Sequence, residues 1–249
     1  MSNYEELFKI MFVLFSVFLL IIIQSVYGVG ILVFGVPTLI LYGFEYLDII
    51  GLLLPSSMMI STLQIFKNRT ARGNELKHLP LAVFGVTIGL VLAAYSDTAE
   101  FMPAIVGTLM LSATFFRISA LTKKYMEYYF EKYQSIFHIL NAILHGFTNL
   151  GGVLLTVYSS SVHNGKVQIV YCTASFYMVY AASQMIIIFL IGHGEIFKAG
   201  LVYVPITALL YTTLGQKTFR LVSQKKFEIL TTYFFFFCGC ILLYGYINS

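Results

Sequence analysis

Charged side chains are scarce in this sequence: Asp, Glu, Lys and Arg make up 10% of its 249 residues. Soluble domains average about 25%, so this chain has too little charge to cover a surface that faces water. Its hydrophobic share is 59% and its mean hydropathy is +0.85. The apolar runs are longer than the alternating segments of about ten residues that a transmembrane barrel would show. The sequence therefore predicts an all-α polytopic membrane protein without a separate soluble domain.

The motifs of metal, nucleotide and hydrolytic chemistry are also missing. Cys172, Cys238 and Cys240 lie in apolar runs and lack the Cys/His spacing of a metal site. The sequence contains no HExxH helix, no GxSxG elbow and no phosphate-binding GxxxxGKS/T loop. Its net charge of +4 is modest and fits a loop bias better than nucleic-acid binding. We therefore expect no enzyme activity, cofactor, metal or nucleic-acid partner.

Two glycine-rich stretches interrupt long apolar runs. The first is GVGILVFGVPTL at 28–39, and the second is HGFTNLGGVLL at 145–155. A glycine costs a helix roughly 1 kcal/mol and an internal proline about 3 kcal/mol, and an unsatisfied backbone group in lipid adds to that cost. Such breaks persist only where protein or a water-filled cavity satisfies the backbone.

The order of apolar segments in the first half recurs in the second half, displaced by 120 residues, so that Gln64 corresponds to Gln184. Identities are sparse but segment lengths agree, which predicts an internal duplication. The first repeat would span 1–122, a cytoplasmic linker 123–135 and the second repeat 136–249. Each repeat would hold a broken helix or hairpin and three transmembrane helices. About eight apolar segments result: 7–42, 47–66, 79–95, 101–121, 136–157, 169–191, 200–215 and 227–247.

The distribution of lysine and arginine depends on how the broken stretches cross the membrane. If both were single spans, ten of the fifteen Lys and Arg residues would lie on one side of the membrane and five on the other. The basic loop at 216–226 would then lie on the side opposite most of the other cations. If both are re-entrant hairpins, Lys9 and Lys198 lie on one side and the other thirteen share the opposite, cytoplasmic side. The hairpin interpretation predicts inverted repeats with both termini outside. A full crossing by 7–27 is the alternative, since that run is long enough to span.

A broken helix exposes the N-terminus of a half-helix, where free N–H groups and the helix dipole favour an anion. Two such ends that meet from opposite faces form the kind of site found in several secondary transporters. Alternatively, the glycines serve close packing between helices. The candidate substrate-binding residues are Gly28, Gly30, Pro37, Ser57, Gly146, Thr148, Asn149, Gly151 and Gly152.

Several other polar residues have two interpretations. Gln24 and His145 lie deep in apolar runs, which indicates either a transport pathway or an interhelical hydrogen bond. His145 could also carry a proton near neutral pH. Arg117, at the end of the fourth segment, would either bind an anion or extend its head group to the membrane interface.

The two glycine-rich stretches resemble the motifs of the TauE/SafE sulfite and organosulfonate transporters. The family pattern is G-I-G-G-G, three apolar residues and V-P. Gly28, Gly30, Val36 and Pro37 match it, whereas an Ile-Leu pair at 31–32 replaces the last two glycines of the triplet. The second stretch is similar to the family's second-repeat motif at four positions: Gly146, Asn149, Gly151 and Gly152. The resemblance covers nearly the whole chain and implies transport of sulfur oxyanions or sulfonates.

These observations together predict a secondary transporter in the plasma or inner membrane that moves a small anion through a site formed by the two breaks. Sulfite, thiosulfate and sulfonates form the expected substrate class. H+ or Na+ would be the coupling ion, and the chain could assemble as a homo-oligomer. Two alternatives stay open: an anion-conducting channel, which would need no alternating access, and a structural subunit of a membrane complex.

Overall fold

The computed structural model describes residues 3–95, 101–119, 125, 128–130, 132–163, 165–221 and 223–248. It is 89% helical, and the described residues form no strand, which confirms the all-α prediction. Eleven α-helices follow one another in this part of the chain: α1 (Asn3–Tyr27), α2 (Ile31–Leu41), α3 (Tyr46–Lys67), α4 (Leu79–Tyr95), α5 (Met102–Ile118), α6 (Gln134–Thr148), α7 (Gly152–Val162), α8 (Lys166–Leu190), α9 (Phe197–Leu210), α10 (Gln216–Leu221) and α11 (Gln224–Ile247).

Four helical stretches in the described part of the chain are long and apolar enough to cross a membrane: Tyr46–Lys67, Leu76–Ala93, Lys166–Leu190 and Gly194–Leu221. The 22 residues of α3 extend about 33 Å, slightly more than the hydrocarbon core of about 30 Å. Large apolar side chains such as Phe66, Leu190 and Leu230 remain exposed. An apolar outer surface of this kind is suited to lipid, so the chain is an integral membrane protein.

The first break reverses the direction of the chain. α1 ends at Tyr27 and α2 begins at Ile31. α2 runs back along α1, because Tyr42, just after α2, stacks on Phe12 with ring centroids 3.9 Å apart. With 11 residues, α2 is only about 16 Å long and reaches roughly halfway through the hydrocarbon core. The two helices form a hairpin.

The second break also forms a hairpin. α6 ends at Thr148, α7 begins at Gly152, and Tyr158 of α7 stacks on Phe137 of α6 at 5.0 Å. The apolar segment expected at 136–157 is therefore two helices. α7 continues to Val162, past the predicted end at 157, and the hydroxyls of Ser160 and Ser161 bond to carbonyls about one turn earlier in the same helix.

A π-helical turn at Tyr211–Gly215 joins α9 to α10. The segment expected to end at 215 therefore continues to Leu221. Gly215 lies against the end of α1, where a methyl group on it would be 2.4 Å from the Ser25 hydroxyl oxygen. The absence of a side chain at Gly215 allows this close contact.

Most basic segments of the described chain collect at one end of the molecule. The Lys67 ammonium group, at the end of α3, donates to the Gln216 side chain at the start of α10. Lys166 donates to the backbone carbonyl of Phe219 on α10. His78 contacts the Gln134 side chain at the start of α6, 3.2 Å away. We call this end of the molecule the basic end. It contains the starts of α6 and α8 and the ends of α3 and α10.

The opposite end contains Lys198, which pairs with Glu195 just before α9. Gly51, near the start of α3, lies against the backbone there, since a methyl group on it would be 2.4 Å from the Ile196 carbonyl oxygen. α3 and α9 therefore run from this end to the basic end, whereas α8 runs the other way. Antiparallel α3 and α8 pack together at the centre, with α2 against α3 and α7 against α8.

Helices of the first half of the chain pack against helices of the second half. α4 packs on α6 and α8, whereas α9 packs on α3 and contacts α1. Glycines allow the closest approaches between these helices. The internal duplication, its inverted arrangement and the repeat boundaries stay predictions. The linker expected at 123–135 lies partly outside the described residues, as does the Arg117 side chain, and α6 already begins at Gln134.

Candidate substrate site at the two helix breaks

Gly28 turns the chain at the first break. Its φ of 76° is a left-handed conformation that favours glycine, and its N–H donates to the Gln24 carbonyl at 2.9 Å. A methyl group on Gly28 would also lie 3.2 Å from Cβ of Thr173 and from the Val170 carbonyl oxygen, both on α8. This glycine therefore allows both the turn and the close contact with α8.

Gln24 connects both sides of the first break to α3. Its Oε1 accepts the N–H of Ile31, the first residue of α2, at 3.0 Å. Its Nε2 donates to the backbone oxygen of Ser57 at 2.9 Å and contacts the Ser57 and Ser61 hydroxyls at 3.0 and 3.3 Å. The start of α2 is therefore capped by a side chain of the protein itself.

Gln64 satisfies the other side of the same break. Its Nε2 donates to the carbonyls of Gln24 and Ser25, near the end of α1, at 2.9 and 3.2 Å. Gln24, Ser57, Ser61 and Gln64 all have an exposure of 0%. Helix ends in a membrane interior must find partners within the protein, and at the first break two glutamines supply them.

The second break has the same backbone pattern. Asn149 takes the position of Gly28, with a φ of 59°, and its N–H donates to the His145 carbonyl at 2.7 Å. Asparagine tolerates this left-handed conformation better than most residues. Its Nδ2 donates to the Tyr46 hydroxyl at 2.8 Å, and that hydroxyl donates to the Phe147 carbonyl at 3.1 Å. Tyr46 thus connects the end of α6 to the start of α3.

The start of α7 faces the Tyr177 hydroxyl on α8. A methyl group on Gly152 would lie 1.7 Å from that hydroxyl oxygen, and one on Gly151 would lie 2.6 Å from Cβ of His145. The Tyr177 hydroxyl is fully buried, its oxygen faces the Gly152 N–H, and its proton has no acceptor. It occupies the space in front of a helix N-terminus, where an anion would be stabilised.

Buried polar atoms without a partner concentrate around the second break and along α6 and α8. Leaving such an atom unpartnered costs about 1–3 kcal/mol, and native structures contain few of them. In the described part of the chain they belong to seven side chains: Gln64, His138, Asn141, His145, Asn149, Tyr177 and Gln184. Only Gln64 belongs to the first break.

A comparison of the sequence with models of protein families identifies the family of the chain. The model of the sulfite exporter TauE/SafE family matches residues 13–242. The chain belongs to the TauE/SafE family. The match covers both hairpins and all the helices that pack around them. Comparisons with curated proteins and with solved structures gave no match.

In this TauE/SafE chain the candidate residues separate into two groups. Gly28, Gly30 and Pro37 belong to the first hairpin, where Pro37 lies buried inside α2, and Ser57 contacts this hairpin from α3 through its hydrogen bond with Gln24. The second group belongs to the second hairpin: Gly146, Thr148, Asn149, Gly151 and Gly152. Their roles as substrate ligands stay predictions.

Two candidates have local contacts of their own. Gly146 lies against α4, where a methyl group on it would be 2.3 Å from the Val86 carbonyl oxygen. The Thr148 hydroxyl donates to the Leu144 carbonyl at 2.8 Å and accepts the Leu150 N–H at 3.2 Å. Gly146 therefore allows two helices of this TauE/SafE chain to approach, and Thr148 helps to end α6.

Tyr46 and Tyr177 belong to the site but were not among the sequence candidates. A tyrosine in an apolar run has the same pattern as an ordinary core aromatic residue, so no local signal marks it. His138, Asn141 and His145 do have a signal, because polar residues at this spacing share one face of an otherwise apolar helix. That face is directed at α8, where His138 stacks on Phe176 at 4.3 Å.

Among the residues whose burial the structure describes, no Asp, Glu, Lys or Arg is buried in this TauE/SafE chain: the buried polar side chains are those of Ser, Thr, Asn, Gln, His and Tyr. The same residues contain no group of three or more His, Cys, Asp or Glu able to hold a metal ion. An anion at the breaks would therefore depend on helix ends and neutral donors.

A small cleft beside the second break, of about 60 Å³, is mainly apolar and open to one side. It lies between α5 and the α6–α7 hairpin, and its lining includes Leu109, Met110, Phe116, Leu150 and Val153. Because it offers almost no polar groups, it is distinct from the polar face of the break toward α8.

Proposed function

We propose that this chain is a secondary transporter that carries a small anion, a sulfur oxyanion or organosulfonate, through a site at the two helix breaks. The observation that supports this most directly is the Tyr177 hydroxyl, which lies in front of the N-terminus of α7 beside the Gly152 N–H and has no acceptor for its own proton. Family membership supports the transport class. The helix N-terminus and the absence of buried acidic side chains among the described residues support an anion.

The second break would hold the anion and the first would support it. The Tyr177 hydroxyl and the ring N–H of His145 are donors that have no partner. A hydrogen bond to a charged group contributes about 1.5–3 kcal/mol, and a partly buried helix N-terminus adds up to about 2 kcal/mol. Gly151 and Gly152 would let the anion approach backbone N–H groups. At the first break, Gln24 already occupies the corresponding position at Ile31.

We place the basic end in the cytoplasm and the two hairpins on opposite faces of the membrane. The hydrogen bond between Lys67 and Gln216 supports this arrangement, because a chain with eight ordinary crossings would separate these residues by the whole membrane. The ring contacts that fold α2 along α1 and α7 along α6 support re-entrant hairpins. The positive-inside rule supports the cytoplasmic assignment and a location in the cell membrane.

Transport by the purified protein in liposomes tests the proposal. Uptake should be measured for sulfite, thiosulfate, sulfate, taurine-like sulfonates and small carboxylates, with protein-free liposomes as the control. We expect at least one sulfur anion to enter and an internal load of that anion to accelerate its uptake. Uptake without this acceleration would indicate a channel. If no anion moves while the protein remains folded, the chain is not a transporter by itself.

A further inference from the structure

Buried polar side chains form a row along α6. His138, Asn141 and His145 share one face of this helix, and their exposures are 0%, 2% and 0%. Both ring nitrogens of each histidine lack a partner, as does Oδ1 of Asn141. A membrane helix rarely keeps several unsatisfied groups on one face, so their alignment requires a physical reason.

The row begins at the basic end. His78 lies at the end of the 3-10 turn Asn74–His78, just before α4, and its ring centroid is 5.0 Å from that of His138. Its ring nitrogens contact the Gln134 side chain at 3.2 Å and the exposed Ser135 hydroxyl at 3.4 Å. His78 is therefore connected on one side to groups in contact with water and on the other to the buried row.

The row continues to the second break through two tyrosines of α8. Nδ2 of Asn141 donates to the Tyr180 hydroxyl at 3.1 Å. The Tyr180 ring stacks on His145 with centroids 4.4 Å apart, and His145 faces Tyr177 at 5.1 Å. The Tyr177 hydroxyl then reaches Gly152, at the start of α7. Asn141 and Tyr180 share a direct hydrogen bond. The nitrogens of His138 and His145 form none, so a proton would pass to and from these histidines through bridging waters.

The charge of the cargo gives this row a role. An anion inside the membrane domain needs a compensating charge, because burying an unpaired charge is very costly. The described residues bury no Lys or Arg, and histidine is the one buried side-chain type among them that can become a cation. A proton that reaches the second break along the row would supply the missing positive charge.

We propose that His78, His138 and His145 carry a proton from the basic end to the second break, with Asn141 and Tyr180 positioning bridging waters between them, and that anion transport is coupled to proton movement along this path. This inference rests on the proposed function, because it assumes that the anion binds at the second break. It identifies the coupling ion as H+ and gives the transport cycle its driving force.

The groups around the histidines fit a path for one proton at a time. His138 is faced by His78 from the 3-10 turn and by Tyr158 from α7, while Phe176 of α8 has no titratable group. α4 contains no Asp, Glu, Lys, Arg or His. Two adjacent histidinium ions would repel each other. His78 and His138 would therefore hold only one extra proton between them at a time.

Among the described residues, the titratable neighbours in ring contact with His145 are tyrosines. Tyr177 and Tyr180 face it from α8, and Tyr46 from α3 contacts the adjacent turn through Asn149. Exposed Lys77 precedes His78 at the entrance. No carboxylate contacts the row among the described residues, so a proton at His145 has no fixed counter-charge until an anion binds.

The test uses the full-length protein in liposomes and the anion found in the uptake screen. Two rates are measured: the exchange of anion at equal pH on both sides of the membrane, and the net uptake of anion driven by an acidic exterior. A pH-sensitive dye inside the liposomes follows the movement of protons. If one proton accompanies each anion, accumulation rises up to about tenfold per pH unit. His138→Gln is compared with wild type and with His193→Gln, an exposed histidine near the opposite end.

We expect His138→Gln to retain exchange at equal pH, because a proton already on His145 can stay there while anions exchange. The same variant should lose pH-driven accumulation and internal acidification, because net uptake must release that proton along the row to the basic end in every cycle. His193→Gln should behave as wild type. His138→Phe, which preserves stacking on Phe176, should give the same result and so separates proton transfer from packing. The proposal is overturned if His138→Gln keeps pH-driven uptake, if it loses exchange as well, or if wild type exchanges anions without a response to pH. Wild type that exchanges no anion would instead refute the proposed function, and the proton path with it.

Discussion

At the first break, polar groups of α1, α2 and α3 bond to one another, whereas at the second break several polar groups face each other without bonds. Both hairpins turn at one residue with positive φ whose N–H bonds four residues back. Both continue into a half-helix of 11 residues. The backbone is therefore the same, and the difference lies in the side chains around it.

Under the proposed function, this difference assigns a structural role to the first break and a binding role to the second. Gln24 and Gln64 occupy the helix ends of the first break, so that hairpin is already satisfied in the absence of a ligand. Tyr177 and His145 at the second break keep unused hydrogen-bonding groups, which a ligand could satisfy. We therefore expect mutations at the first break to change stability and mutations at the second break to change transport.

The largest expected effect concerns the orientation of the two hairpins, because labelling is all or none. Single cysteines replace Asn68 and exposed Ser223 in a chain whose three native cysteines have been removed. Both should react with a membrane-impermeant maleimide only from the cytoplasmic side. Reaction of the two positions from opposite sides would show that the hairpins do not enter from opposite faces.

The next largest effect is on stability. Gln24→Leu leaves the Ile31 N–H and the hydroxyls of Ser57 and Ser61 without their present partner. At about 1–3 kcal/mol for each unsatisfied buried group, we expect a loss of roughly 3–5 kcal/mol, measured as a lower Tm in detergent and lower abundance in the membrane.

Gln184→Leu is the matched control. Gln184 is as fully buried as Gln24 but has no hydrogen-bond partner, so removal of its amide should leave Tm unchanged or raise it. Equal destabilisation by the two substitutions would contradict the view that the polar groups of the first break are hydrogen-bonded and several of those near the second break are not.

Gly152→Ala should reduce transport about 100-fold, which corresponds to about 2.7 kcal/mol. The added methyl group would lie 1.7 Å from the Tyr177 hydroxyl oxygen, so the tyrosine must leave the start of α7. Gly245→Ala is the control, because nothing lies within 4 Å of a methyl group there. Initial uptake rates, normalised to folded protein, compare the two variants, and equal rates would show that the second break does not require this arrangement.

The smallest effect is expected for Tyr177→Phe, which removes one hydroxyl whose proton has no acceptor. Stability should remain the same or increase, while anion affinity should decrease about tenfold, as expected for the loss of one hydrogen bond to a charged group. Ligand-induced shifts in Tm with sulfite, methanesulfonate and neutral dimethyl sulfone provide the measurement, and Tyr180→Phe is the comparison variant. A sulfone that stabilises wild type as well as the anions do would contradict an anion site.

Glycine and proline made the two breaks visible in the sequence because their effects on a helix are local. The turn at Gly28 depends on its own φ, and the pattern of polar and apolar residues determined most helix bounds. The end of α7 was predicted wrongly, at 157 instead of Val162. A run of serines is typical of a loop when the hydrogen-bond partners of their hydroxyls are unknown. In the helix these hydroxyls bond to its own backbone.

The contacts across the molecule could not be obtained in this way. Gln24 was recognisable as a buried polar residue, but its bond to Ser57 joins residues 33 positions apart. Tyr46 and Asn149 are 103 positions apart, and nothing local distinguishes Tyr46 from the other tyrosines. Whether a buried amide is satisfied or free depends on such distant partners, so the contrast between the two breaks emerged only from the structure.

The lack of fixed charge in the buried core has an electrical consequence. Moving one elementary charge across the membrane is worth about 2.3 kcal/mol per 100 mV. The described core contains no buried Lys, Arg, Asp or Glu, so the empty carrier, with neutral histidines, would reorient without responding to the membrane potential. Any voltage dependence of the full cycle then reports the net charge of the loaded form, which for a monoanion accompanied by one proton is zero.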